Sequence, residues 1–403
     1  MTLKTILIAA TAVTGLAHGA LAESEGPLKL GILSDMSSAY SDLTGPGSVI
    51  SAEMAIEDFG GTVAGRKIEL VTADHQNKTD VGVSIASKWF DNDGVAAIFD
   101  LPTSSVALAV QSMTAQRPEK TLVITAGFSS DLTGKACTEN SMQAIFNTYA
   151  AARSVSLALV EEGFSDWYYL QVDNLGGASM YGDSSAAVEQ AGGNVLGVTK
   201  FPIGMVDMSS LVLQAQGSGA NVMGLAMGGS DTVNAMKTAK QFGLLDSGMR
   251  KATYSFDVTD VKAVGLDIAG GTYVSTTFYW DENEDTRSFG RRFIEKHGKM
   301  PTQYQATVYV AITHYLRAVE ALEGEDSAKQ VVPQMKKMKV KEFGTETGWI
   351  REDGQFMRDV VLGRVKQADA SKEPWDFFEI IRTVPAEEAF RPLSESECPL
   401  VQG

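Results

Sequence analysis

The chain is short of the residues that build metal centres and nucleophilic triads. Its 403 residues include only 4 histidines and 2 cysteines. Three of the histidines, His75, His297 and His314, fall in different predicted units. Imidazoles scattered in this way supply neither a ligand cluster nor a base beside a serine, so they read as structural. Positive charge is scarce too. Lys and Arg number 34 against 50 Asp and Glu, a net charge of −16, and such a surface repels phosphate backbones and anionic lipid, arguing against nucleic acid as a partner. No Walker A loop, HExxH, GxSxG elbow or strand-following GxGxxG occurs, which removes the commonest signatures of nucleotide, zinc and serine chemistry. Beyond residue 22 no apolar run is long enough to span a bilayer.

What is present begins with a leader. Lys4, an apolar stretch from Ile6 to Leu16, and "ALA" at 20–22 form the three regions of a signal peptide over residues 1–22. Thr11, Thr14, Gly15 and His18 break the apolar stretch, leaving it short of the roughly 20 residues of a membrane anchor. The mature chain is therefore expected to be exported and to start near Glu23. In an exported chain the even cysteine count predicts a disulfide between Cys137 and Cys398. Closing so long a loop is worth about 4 to 5 kcal/mol in the chain-entropy treatment.

A chain of this length suits two cores, since single cores stop growing at about 250 to 300 residues. Short apolar strands alternate with helical patterns throughout. Strands are predicted at 28–33, 67–74, 95–101 and 121–127, then at 166–173, 194–203, 221–228 and 252–258. A strand at 271–280, helices at 284–297 and 302–323, and strands at 359–366 and 376–383 follow. The alternation predicts an α/β protein of two doubly wound, Rossmann-like lobes with mainly parallel sheets covered on both faces.

Small, polar and aromatic residues recur at the carboxyl ends of these strands, where open α/β sheets collect ligands. The corners are "DLPTSS" (100–105), "AGFSSD" (126–131), "DNLGGASMYG" (173–182), "GGSD" (228–231) and "SFDVTD" (255–260). Ser105, Ser130, Ser179, Ser230 and Thr259 serve equally well as helix N-caps, each worth about 1 kcal/mol. Five such corners in two halves point to a ligand cleft. The acidic run "DENED" (281–285) reads as a solvated loop and helix start, with cation binding left open.

The stretches "LKLGILSDMS", "GRKIELVTAD", "DNDGVAAIFDLPTSSVALAV", "ITAGFSSDLTG", "YGDSSAAVEQAGGNVLG", "DMSSLVLQAQGSGANVM" and "KTAKQFGL" run in an order that resembles the type I, branched-chain amino acid-binding group of periplasmic solute-binding proteins of ABC importers. The ending "PWDFFEIIRTVPAEEAFRPLSESECPL" resembles a subgroup associated with aromatic acids. The resemblance implies two lobes on a three-segment hinge, with lobe 1 formed by 23–147 and 275–340 and lobe 2 by 148–274 and 341–403. It also implies a periplasmic, monomeric binder with no cofactor and no catalytic role, delivering its solute to permease subunits.

By the same resemblance, Thr103 and Ser104 at one strand end, and Gly127 and Ser129 at another, hold a carboxylate. A helix N-terminus suits an anion without a lysine. Tyr181 closes over the solute, Tyr304 lies near a cleft aromatic, Tyr40 belongs to the first loop, and Asp257 is the candidate partner for an ammonium. Gly228 stands where the group has an aromatic, and "SSAYSDLTGPG" remodels the first loop. These departures put an α-amino acid in doubt and make an aromatic or aliphatic carboxylate competitive with it, with Phe128, Phe256, Tyr279 and Trp280 as candidate stacking faces or, equally, core residues. Two rival readings are a ligand-sensing module for a membrane receptor and an exported serine hydrolase using Ser104 or Ser129.

Overall fold

The computed structural model describes residues 26–401, apart from the side chains of residues 346 and 347. The predicted leader, 1–22, lies outside the described residues. In chain order the strands are β1 (Leu28–Ser34), β2 (Thr62–Val63), β3 (Arg66–Asp74), β4 (Val95–Asp100), β5 (Thr121–Ile124), β6 (Ser141–Gln143), β7 (Asp166–Val172), β8 (Asn194–Phe201), β9 (Val222–Gly228), β10 (Arg250–Ser255), β11 (Tyr273–Thr276), β12 (Val340–Glu342), β13 (Thr345–Ile350), β14 (Phe356–Met357), β15 (Val360–Val365) and β16 (Phe378–Val384).

Two sheets organise the molecule. The first has the order β2-β3-β1-β4-β5-β6 and is parallel from β3 to β6; the second has the order β16-β15-β11-β10-β9-β7-β8, with β15 and β16 antiparallel at one edge. The central strands are apolar along their whole length, as β4 (VAAIFD) and β9 (VMGLAMG) show by being buried at every position. Strands covered by helices on both faces need this continuous character, not a polar alternation.

The chain passes between the sheets three times, over 144–147, 277–283 and 358–359. After the second passage, helix Gln303–Ala321 returns to the first sheet, where Val308, Ile312 and Tyr315 join Leu28, Leu30 and Phe99 in one core. Cys137 and Cys398 are joined, with Cα atoms 5.6 Å apart. The bond ties the tail that follows helix Ala386–Ala389 back to the segment between β5 and β6. Among the described residues no helix is long and apolar enough to cross a membrane.

The structure differs from the sequence reading in several places. The expected strand at 252–258 ends at Ser255 because Asp257 turns the chain to cap helix Val258–Val264. The expected strand at 271–280 is only β11, since Thr276 Oγ1 bonds both the N–H and the C=O of Phe278 and bends the backbone into the second passage. The short strands β6, β12, β13 and β14 and the helix Ala328–Lys337 were not foreseen; Val340, Ile350 and Phe356 pack into the first core.

The cap assignments also shift. The residues at the cap positions are Thr103, Ser129, Asn174, Gly229 and Asp257, in place of Ser105, Ser130, Ser179, Ser230 and Thr259. Each helix starts one or more residues before the expected position, so those hydroxyls fall inside the first turns or beyond them.

Candidate ligand-binding site

The carboxyl ends of six strands, three from each sheet, converge on one small cavity. Its lining comes from the residues after β1 (Tyr40, Leu43, Thr44), β4 (Pro102, Ser104), β5 (Ala126, Phe128) and β7 (Asn174, Gly176), and from the ends of β9 (Gly228) and β10 (Ser255). Met180 and Tyr304 complete it, and with the lobes this close its free volume is only about 30 Å³. Aromatic and aliphatic groups dominate, with a few hydroxyls and one amide. No Lys, Arg, Asp or Glu lines it.

Ser104 is the most constrained polar group. Its Oγ accepts hydrogen bonds from the backbone N–H of Phe128 and of Ser129, both at 3.1 Å. A serine oxygen has two lone pairs and one proton. With both lone pairs filled, the proton is the valence left for another partner, and Ser104 borders the cavity. Two incoming N–H bonds polarise that O–H and make it a better donor. Ser104 also opens helix Ser104–Thr114, whose first-turn N–H groups lie outside the helical ladder and carry its positive end.

The lobes already touch around this cavity. Tyr304 OH lies 2.6 Å from Ser255 Oγ, and Asn174 Nδ2 donates to Tyr40 OH at 3.4 Å. At the rim, Ser230 N donates to Ala39 O at 3.1 Å, Leu175 N to Ser105 Oγ at 3.2 Å and Ser130 Oγ to Asp183 Oδ2 at 2.8 Å. Burial pushes the Tyr40 and Tyr304 phenols well above the ordinary tyrosine range, so both keep their protons as donors.

Of the residues singled out from sequence, Tyr40, Ser104 and Tyr304 border the cavity. The others stand back from it. Thr103 donates its hydroxyl to Asn77 Oδ1. Gly127 packs so closely on Ile124, Ala107 and Leu101 O that a Cβ would fall 2.6 to 3.0 Å from them. Ser129 is fully buried and pairs with Ser179 Oγ at 2.5 Å. Tyr181 lies edge-on to Tyr169, ring centres 5.1 Å apart.

Asp257, expected as an ammonium partner, is engaged by the backbone. Its Oδ1 accepts from Val258 N at 2.7 Å and its Oδ2 from Gln303 N at 3.0 Å. Burial pushes this carboxyl up to about 6, against the pull of those N–H donors. Of the candidate stacking faces only Phe128 borders the cavity; Phe256 is core, and Tyr279 OH and Trp280 Nε1 both donate to Trp375 O. The acidic loop 281–285 is tied up locally: Asp281 and Glu284 pair with Arg287 and Arg291, and Asn283 caps helix Glu284–His297.

Sequence reasoning found the corners that supply Asn174, Gly228 and Ser255 but did not single out Asn174 or Ser255. Leu43, Thr44 and Met180 carry no local signal at all, because an apolar residue or a threonine facing a cavity looks the same in sequence as one facing a core. The hydrolase reading fails on geometry. Ser104 Oγ and Ser129 Oγ bond backbone N–H groups and another serine, and no imidazole is among their partners. His75 and His314 are buried elsewhere, held by Asn77 N and Met335 O.

Comparison with known proteins agrees with this geometry. The family described as periplasmic binding protein matches residues 27–371. The chain belongs to that family. A periplasmic binding protein from Burkholderia mallei is 37% identical to it, with a TM-score of 0.90 over 93% of this chain and 99% of that one. The Leu/Ile/Val-binding protein homolog 7 of Brucella abortus (strain 2308) is 27% identical over 345 residues, 79% of this chain and 83% of the relative. A solute binding protein of an ABC transporter from Rhodopseudomonas palustris BisB5, in complex with 3,4-dihydroxy benzoic acid, shares the fold at 18% identity, with a TM-score of 0.81 over 89% of this chain and 98% of that one. This periplasmic binding protein is thus a solute-binding protein of the branched-chain amino acid type. Its relatives and its fold are those of solute-binding proteins, not of enzymes, and family membership implies a periplasmic location.

Proposed function

We propose that this periplasmic binding protein captures a small aromatic monocarboxylate between its lobes and delivers it to the permease subunits of an ABC transporter. The observation that carries the reading is the cavity lining: a polarised Ser104 O–H at a helix N-terminus, aromatic and aliphatic walls, and no charged side chain. An anion is received there by dipoles and a hydroxyl, and a flat ring lies against Phe128, Met180 and Tyr304 once the lobes part to admit it. An α-amino acid brings an ammonium that finds no carboxylate in the lining. Leaving a buried cation unpaired is costly. One chain supplies both walls, so the protein works as a monomer after export, and the solute biases lobe closure by touching both sides at once.

Calorimetric titration of the mature protein with benzoate, 4-hydroxybenzoate, leucine, valine and phenylalanine tests this. The aromatic acids are expected to bind at least a hundredfold more tightly than any amino acid. Ser104→Ala is expected to weaken benzoate about tenfold to a hundredfold, since hydrogen bonds to charged groups are worth roughly 1.5 to 3 kcal/mol. Leucine binding more tightly than every benzoate, or Ser104→Ala binding benzoate like wild type, overturns the reading.

A further inference from the structure

The two N–H groups that face Ser104 belong to a loop, 127–129, whose carbonyls have to point somewhere else. Two of the three, those of Gly127 and Ser129, point at one side chain, while Phe128 O accepts from Thr148 N at 2.8 Å. Gln143 Nε2 donates to Gly127 O at 2.7 Å and to Ser129 O at 3.1 Å. Gln143 is fully buried and is the last residue of β6, immediately before the first passage between the lobes. Its own backbone N–H donates to Gly354 O, and its Oε1 accepts from Thr133 Oγ1 at 3.2 Å.

A second buried amide continues the connection. Gln355 Nε2 donates to Gln143 O at 3.1 Å and Ile145 O at 2.9 Å, and its Oε1 accepts from Asn147 Nδ2 at 3.0 Å and Thr133 Oγ1 at 3.3 Å. Gln355 lies just before the third passage. Asn147, within the first, caps helix Thr148–Glu161 of the second lobe through Ala150 N. A chain of neutral side-chain amides therefore runs from the second lobe's first helix, across two of the three passages, to the carbonyls of the Ser104 corner.

We infer that Gln143 is a positioning residue that holds the 127–129 loop with its Phe128 N–H turned toward Ser104, the Ser129 N–H being set by Thr148 through the Phe128 carbonyl, and that Gln355 links this setting to the hinge. A peptide unit is planar, with C=O and N–H on opposite sides. Holding the carbonyl of Gly127 therefore fixes the direction of the Phe128 N–H. Because Gln143 ends β6 and Gln355 immediately precedes β14, each a step from a passage between the lobes, a change in lobe angle shifts the Phe128 donor of the corner. The role of this corner in solute binding rests on the function proposed above; the positioning itself does not.

The test is amide hydrogen exchange by NMR on the mature, solute-free protein, with Gln143→Met, which keeps the volume and removes both donors. Exchange at the Phe128 amide is expected to rise at least tenfold while amides of β1 and β4 keep their wild-type rates. Gln355→Met, which does not touch that amide, is expected to raise the same rate by a smaller factor. In parallel, Gln143→Met is expected to weaken benzoate about tenfold. A wild-type rate at the Phe128 amide in a folded Gln143→Met protein overturns the positioning role. So does a uniform rise across β1 and β4, which marks a merely structural residue. If Gln143→Met does not fold, Gln355→Met decides: unchanged exchange at Phe128 overturns the inference. Failure of wild type to bind benzoate counts against the proposed function alone, because the exchange readout uses no solute.

Discussion

Tyr304 OH lies 2.6 Å from Ser255 Oγ, joining a helix packed on the first sheet to the carboxyl end of β10 in the second. The bond spans the cavity and exists only while the lobes are together. Tyr304→Phe removes it with almost no change of volume. A net loss of about 1 kcal/mol is expected to fall on closure, weakening solute binding roughly fivefold. Small-angle scattering of the solute-free variant is expected to give a larger radius of gyration than wild type. An unchanged profile and affinity would show that the contact is incidental.

Gly229 is a second closure contact, and here backbone geometry decides. Its φ of 59° lies in the region that favours glycine, and a Cβ there would sit 2.2 Å from Ala39 O, the atom that accepts the Ser230 N–H across the lobe boundary. Gly229→Ala is expected to hold the lobes apart. Binding should fall at least tenfold, far more than Tyr304→Phe produces. Titration calorimetry of the two variants side by side measures that order.

Arg358 tests the hinge itself. It sits in the third passage, 6% exposed, with Nε 3.2 Å from Glu342 Oε1 and Nη2 donating to Ala144 O at 2.6 Å. Removing one member of a buried ion pair strands the other, at a cost of about 3 to 5 kcal/mol. Arg358→Met is expected to lower stability by that order in urea denaturation. The double variant with Glu342→Gln should recover most of the loss, because no charge is then left unpaired.

His314 predicts a pH effect of definite sign. Burial holds its imidazole down at about 4, below the ordinary histidine value. The unfolded chain therefore takes up a proton near pH 6.5 that the folded one refuses until about pH 4. Between those values His314 lowers stability as pH falls, by up to about 1.4 kcal/mol per pH unit. His314→Asn lacks this term. The stability difference between wild type and variant should shrink steadily from pH 7 to pH 5 in urea titrations; a constant difference contradicts the assignment.

Much of the fold was readable because long strands and helices carry their own periodicity. The apolar runs that became β1, β4 and β9, and the capped helix Glu284–His297, needed no tertiary information. The three-residue β6 and the two-residue β14 were not readable, since segments so short have no period and exist only through partners such as the Gln143 and Gln355 bridge. Within the site, Ser104, named through the family resemblance, borders the cavity. Asp257, named the same way, has its oxygens held by Val258 N and Gln303 N, partners that no alignment of the chain displays.

The sequence by itself determined the class of the molecule: two α/β halves, a deficit of bases and metal ligands, and hydroxyl-rich corners, all set by local pattern and composition. Tertiary structure alone decided which corner residues border the cavity between the lobes. Orientation at a loop depends on where each carbonyl and N–H finds its partner, and at the Ser104 corner those partners, Gln143 and Gln355, lie up to 251 positions away in the chain.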